Sequence, residues 1–167
     1  VFLPTGIISD GGGECLGRRC MRWGEIRELA ASGVQFGSHT VTHPKLHDLP
    51  WDKVEGEIRD STKTLEDKIG KSVKSFSYPY AFPEGNSRLT ARLRTLLVEL
   101  GYKNGVTTKI GTVRRKDDRF FLKRIPVNSD DDALFFLAKL ESGYDWVHGI
   151  QHAHKVLKRS LNGYRTG

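Results

Sequence analysis

Apolar residues recur along this chain at helical spacing in three clear stretches. Trp23, Ile26, Leu29 and Ala30 stand three and four residues apart, which predicts a helix over residues 23–32 with Gly33 as its stop. A longer stripe of Trp51, Val54, Ile58, Leu65 and Ile69, with Thr62 filling the gap, predicts a helix over 51–69. Pro50 suits its first turn and Gly70 its end. Leu89, Leu93, Leu96, Leu97 and Leu100 line up as a third helix that Gly101 terminates. Two more follow: Asp130-Asp131-Asp132 favours a helix start leading into Ala133–Leu140, and residues 144–161 read as a last helix with a basic outer face.

Short extended runs separate these helices. Residues 1–3, with Ile7-Ile8 as an extension, then 34–37, 75–80, 104–108 and 121–127 read as strands, with Gly105 the weak point of the fourth. The intervening segments carry turn residues, including three consecutive glycines within 9–22 and the breaker Pro83-Glu84-Gly85-Asn86, while 114–119 is a charged loop. Strands alternating with helices at this spacing imply a parallel α/β organisation, either a barrel or an open doubly wound sheet. Four or five strands fall short of a complete eight-stranded barrel of roughly 250 residues. There is no internal repeat, low-complexity tract or linker, and 167 residues suit a single domain over 1–167.

Charge adds little to this picture. Lysine and arginine outnumber acids 27 to 20, a formal net charge of +7, with local density at Arg18-Arg19, Arg114-Arg115-Lys116 and from Lys155 to Arg165. No helix-turn-helix, zinc-finger or ribonucleoprotein pattern accompanies it, so a solvated basic surface is expected and a nucleic-acid partner is not. Cys15 and Cys20 are compatible with free thiols or one local bridge, and a Cys-x4-Cys zinc half-site lacks its second half. No apolar run approaches the roughly 18 to 20 residues of a membrane span, no signal segment is visible, and the compartment stays open.

The chemistry concentrates in Gly37-Ser38-His39-Thr40-Val41-Thr42-His43-Pro44. Neutral imidazole is a common ligand for zinc and similar ions, and two histidines four apart would share a face if the stretch were one turn of helix. A bare His-x3-His also serves as a solvated or core-satisfied pair. The flanking Gly-Ser and Pro shift the balance, because they place His39 and His43 where a strand ends and the backbone turns, where α/β proteins keep their reactive groups. Ser77-Tyr78-Pro79-Tyr80 ends another strand and should open onto the same rim.

Taken in order, Phe2-x-Pro4-Thr5-Gly6, Trp23-x-x-Ile26-x-x-Leu29-x-x-Ser32-Gly33, the Gly37–Pro44 segment, a long helix, Phe76-Ser77-Tyr78-Pro79-Tyr80 and Gly101-Tyr102 form a recognisable series. It resembles the polysaccharide deacetylases of carbohydrate esterase family four, from Val1 to about Val127. The resemblance implies an incomplete or distorted (β/α) barrel that removes acetyl groups from an N-acetylated polysaccharide or oligosaccharide. It implies that His39 and His43 bind a divalent metal, zinc first, and that the Tyr80 backbone N–H stabilises the oxyanion. An ion of that kind lowers the pKa of coordinated water toward about 7 and polarises the carbonyl.

Departures from the family pattern set further expectations. The family's Thr-Phe-Asp-Asp-Gly motif, source of the general base and a third metal ligand, is not in this chain, and the expectation is that it lies upstream with an amino-terminal strand. Asp10 follows the first strand and does not replace it. Ser77 stands where many members have arginine, which suggests a subgroup. The late Leu-x-His motif is not matched, so His148, His152 and His154 are expected at the surface and His47 in a loop. Trp23 and Trp51 receive no catalytic role. A different class of protein, a noncatalytic glycan-binding or structural relative, fits the same departures.

Overall fold

The computed structural model describes residues 1–146 except Leu16, Pro83, Glu84 and Tyr144, and omits the side chains of Cys15 and Arg18. The expected helix over 144–161 and its histidines fall outside the described residues, apart from Asp145 and Trp146, which form a turn. Whether Cys15 and Cys20 pair lies outside them too. The chain divides into two compact units: residues 1–108 with 118–122, and residues 109–117 with those from 123 onward.

A five-stranded sheet runs in the order β1 (Phe2–Leu3), β4 (Gly37–Ser38), β5 (Ser75–Ser77), β6 (Asn104–Ile110), β7 (Leu122–Arg124). The pairs β1·β4, β4·β5 and β5·β6 are parallel, so the fold is α/β and the strands form an incomplete barrel. A separate antiparallel hairpin of β2 (Glu14–Cys15) and β3 (Arg18–Arg19) occupies the glycine-rich segment expected to be loop throughout.

The helices are α1 (Trp23–Ala31), α2 (Trp51–Ile69), α3 (Ser87–Glu99) and α4 (Ala133–Leu140). Helix α2 has the bounds its stripe predicts, and it ends because Gly70 takes the left-handed conformation at φ 67° while its N–H caps the Glu66 carbonyl. Helix α3 starts two residues earlier than its leucines suggest, for the Asn86 side chain accepts the Leu89 N–H at 2.9 Å. Asp132 caps α4 in the same way, through the Phe135 N–H at 2.7 Å.

In the first unit, Ile26, Val54, Ile58, Leu65, Leu93, Leu97 and Phe76 are fully buried, and each such side chain contributes about 1.5–3 kcal/mol through burial. Several strands are shorter than their apolar runs. Ile7 belongs to a 3-10 turn, Thr5–Ile7, rather than to an extension of β1, because the N–H groups of Thr5 and Gly6 bond to the carbonyls of Thr40 and Val41 instead of continuing the ladder. β4 begins only at Gly37 and β5 stops at Ser77, before Pro79, which has no N–H to donate. Gly105 is a requirement rather than a weakness: a Cβ there would lie 2.5 Å from the Phe120 carbonyl oxygen.

The second unit is held by a buried ion pair. Lys139 Nζ reaches both Asp131 carboxylate oxygens, at 2.7 and 2.8 Å, and donates to the Pro126 carbonyl at 3.0 Å. Asp145 accepts from the Thr112 N–H and hydroxyl at 2.7 and 2.9 Å.

Candidate functional site

β4 and β5 run side by side and parallel, with Ser38 opposite Phe76, so the segments leaving both strands emerge on one carboxyl-end rim. His39 is the first residue after β4, and Tyr78-Pro79-Tyr80 follows β5.

No helix forms over 39–43. Two left-handed residues turn the chain instead, Thr40 at φ 68° and His43 at φ 59°, and Tyr80 on the neighbouring segment has φ 52°. These are three of the four non-glycine residues with positive φ among those described, and the fourth is Ser142. Side chains with a Cβ resist this region, at roughly 1–3 kcal/mol each, and such strain persists only where the surroundings enforce it.

Here the surroundings are specific. The Thr40 hydroxyl accepts the His43 N–H at 3.1 Å. From α2, Glu57 accepts the Val41 and Thr42 N–H groups on one carboxylate oxygen, at 2.8 and 2.9 Å, and the Thr42 hydroxyl on the other, at 2.7 Å. On the opposite side the Thr5 and Gly6 N–H groups donate to the Thr40 and Val41 carbonyls at 3.1 and 2.9 Å. A Cβ at Gly6 would stand 2.8 Å from the Val41 oxygen, which explains glycine in the Pro4-Thr5-Gly6 turn.

This turn brings the two imidazoles together. Their Nε2 atoms are 3.1 Å apart, with ring centroids 4.6 Å apart and planes at 69°. The Nδ1 of His39 lies 2.7 Å from the Ser77 carbonyl oxygen, which can only accept, so Nδ1 carries the hydrogen and the neutral ring presents its Nε2 lone pair toward His43. A backbone carbonyl fixing the tautomer of a histidine in this way is the usual support of a metal ligand. Two nitrogens bound to one tetrahedral zinc at its usual bond length sit about 3.3 Å apart. The observed separation fits that requirement with little movement.

Tyr80 joins the pair: its ring centroid is 4.8 Å from that of His43, and the Lys45 ammonium lies 5.9 Å from the centre of the Tyr80 ring. Among the described residues no acceptor takes the Tyr80 backbone N–H. His47 is not drawn in; it sits in the 3-10 turn Leu46–Asp48 with Nε2 3.3 Å from Asp48. Asp10 stands 3.7 Å from Lys68 on α2. Among the described residues no cluster of three or more His, Cys, Asp or Glu side chains is arranged to hold an ion.

Beneath the rim runs a buried polar chain. The Ser38 and Ser61 hydroxyls hydrogen-bond each other, and Thr62, bonded back to the Ile58 carbonyl, meets the Tyr102 hydroxyl at 2.6 Å. Burial pushes the Tyr102 phenol up, opposed by hydrogen bonds with Ser38 and Thr62. Thr62, which looked like a gap in the apolar stripe, is therefore a satisfied polar contact between α2 and the end of α3. Burial, with the Asp118 charge adding to it, also raises the neighbouring Tyr78 phenol.

The profile of the polysaccharide deacetylase family matches residues 2–105. The chain belongs to the polysaccharide deacetylase family. YxkH of Bacillus subtilis (strain 168), a candidate polysaccharide deacetylase, is 27% identical over 118 residues, covering 71% of this chain and 40% of that protein. Among solved structures, the Streptococcus pyogenes deacetylase PplD in complex with acetate superposes with a TM-score of 0.65 at 23% identity, over 75% of this chain and 53% of that one. IcaB from Ammonifex degensii gives 0.59 at 24% identity, over 77% and 56%. These structures share the deacetylase fold, and the chain spans between two fifths and just over half of the length of these relatives.

His39, His43 and Tyr80, the residues singled out from the deacetylase-like motifs, are thus neighbours in space. Sequence reasoning missed three supports: Glu57, the Thr40 hydroxyl and the Ser77 carbonyl. Glu57 reads as an ordinary solvated helix charge beside the apolar Ile58, and a backbone carbonyl leaves no trace in side-chain identity. For Ser77 the expectation concerned its side chain, whereas its carbonyl touches the site.

Proposed function

We propose that this chain carries the metal-binding arm of an N-deacetylase acting on an acetylated polysaccharide or oligosaccharide of the N-acetylglucosamine type. The observation that carries the reading is the convergence of the His39 and His43 Nε2 atoms at 3.1 Å, with the His39 tautomer set by Ser77. His39 and His43 would hold a divalent ion, zinc first, through Nε2. When bound, such an ion supplies Lewis-acid polarisation of a carbonyl and acidification of water.

The chain's own groups divide the remaining work. Ser77 keeps the proton of His39 on Nδ1, so Nε2 stays a donor of its lone pair. The backbone N–H of Tyr80, a left-handed residue whose ring packs against His43, would donate to an amide oxygen as negative charge builds on it. Hydrolysis breaks the acetyl C–N bond, puts the oxygen of water on the released acetate and leaves a protonated amine on the glycan. The half-exposed Tyr80 ring, with Lys45 over it, offers an amphipathic surface to an incoming sugar.

Release of acetate from an N-acetylglucosamine oligomer by a protein that joins this chain to the Thr-Phe-Asp-Asp-Gly motif, measured with and without a chelator and in His39→Ala and His43→Ala variants, tests this. Release that is lost with the chelator, restored by zinc and abolished in both variants is expected. Activity unaffected by either substitution would sink the assignment. Glycan binding without acetate release would instead identify a binding relative, and salt-sensitive binding of nucleic acid indifferent to both histidines would point to the basic surface.

A further inference from the structure

We infer that Glu57 is a positioning residue for the histidine pair: its carboxylate holds the 41–42 turn in place so that His43 faces His39. Functionally this deepens the metal-arm reading above and rests on it, while the geometry stands without a metal.

The case begins with connectivity. Between His39 and His43 lie three residues, and two of the five take the left-handed conformation. A turn under that strain relaxes unless something outside it holds the backbone. His39 is anchored twice, by its N–H to the Leu3 carbonyl at 3.1 Å and by Nδ1 to Ser77. His43 has its N–H on Thr40, a residue of the same turn, so its placement inherits whatever fixes Val41 and Thr42.

Glu57 supplies that anchor with three hydrogen bonds of 2.7–2.9 Å, all charge-assisted and shared between its two oxygens. The donors are two successive backbone N–H groups and the hydroxyl of the second residue, Thr42, a grip on the backbone of the turn itself. Glu57 is one residue before the fully buried Ile58 on α2, so the clamp is attached to a helix whose Val54, Ile58 and Leu65 are fully buried.

The charge strengthens these bonds, but their geometry can be reproduced by a neutral side chain, and this makes the interaction separable by substitution. Glutamine at position 57 can accept both N–H groups on its amide oxygen and donate from its nitrogen to the Thr42 hydroxyl, which is able to accept. Alanine removes all three contacts.

The test uses the 167-residue chain without added metal, comparing the parent with Glu57→Ala, Glu57→Gln and Thr42→Val. Amide hydrogen exchange and the ring-to-ring nuclear Overhauser effect between His39 and His43 are read out by NMR. In Glu57→Ala the Val41 and Thr42 amides are expected to exchange about tenfold faster or more, and the ring contact to be lost. Amides in β5 and α3 should keep their parental rates, which a general loss of stability would not allow. Glu57→Gln should restore the ring contact, and Thr42→Val should weaken it partially. Parental ring contact in Glu57→Ala, or failure of Glu57→Gln to restore it, overturns the inference.

If Glu57→Ala does not fold, Thr42→Val carries the decision: an unaltered ring contact and unaltered Val41 exchange overturn the inference. Zinc affinity measured on the same proteins answers a separate question. A His39→Ala chain that binds zinc as tightly as the parent defeats the metal-arm reading and leaves the clamp to be judged by NMR. Where the parent binds zinc through the pair, Glu57→Ala is expected to weaken it about 10- to 100-fold, the usual effect of removing an outer support.

Discussion

The Nε2 atoms of His39 and His43 face each other across 3.1 Å although no helix joins the two residues. The i, i+4 spacing suggests one helical turn, and the protein reaches the same convergence through a strained loop, with Thr40 and His43 both at positive φ. The pair is consequently as good as the contacts that enforce the loop.

If the pair is a metal arm, its nitrogen donors cannot be lost singly without consequence. His39→Ala and His43→Ala should each reduce zinc affinity by more than the roughly 10- to 100-fold expected for an outer support. Competition with a chromophoric chelator measures this, and equal affinity in parent and variants would refute it.

Thr40 is buried, and its hydroxyl is the acceptor for the His43 N–H. Thr40→Val keeps the shape and deletes the acceptor. The expected cost is about 1 kcal/mol in urea unfolding, because the partly buried His43 N–H loses its partner. Zinc affinity should fall with it.

Gly37 belongs to β4, between β1 and β5, and a Cβ there would lie 2.6 Å from both the Phe2 ring and the Ser75 carbonyl oxygen. Because one of these atoms is backbone, the strands themselves have to move. Gly37→Ala is expected to destabilise by about 1–3 kcal/mol. It should also displace His39, two residues on, which a shift of its imidazole NMR signals would report.

In the second unit, the Lys139 ammonium holds the Asp131 carboxyl below the usual carboxylate range, and the Asn128 N–H adds to this. The folded pKa is lower than the unfolded value, so the contribution is complete above about pH 4 and disappears as pH falls through the folded pKa. Thermal unfolding followed by circular dichroism should therefore show the melting temperature dropping below that pH. In Asp131→Asn this part of the acid sensitivity should be absent, and the melting temperature should already be lower at pH 7, because the buried Lys139 ammonium loses its ion pair with the Asp131 carboxylate.

The sequence by itself determined the four helices α1–α4, because amphipathic period and capping residues act locally: Pro50, Gly70 and the apolar stripe delimit α2, and Asp132 starts α4. It also determined that His39, His43 and Tyr80 share a rim, since each follows a strand of a parallel sheet and the motifs are distinctive enough to show the deacetylase family. Strand lengths were decided elsewhere. Whether Ile7 extends β1 depends on its neighbours' bonds to the Thr40 and Val41 carbonyls, which are distant in sequence. The tertiary structure alone decided how the histidines meet. The turn that holds the pair and the left-handed Thr40, a carboxylate from α2 and a carbonyl from β5 are three separate parts of the chain, and no local pattern encodes their convergence. Spacing picks out the two histidines, but only packing forces the backbone into the strained turn that aims them at each other.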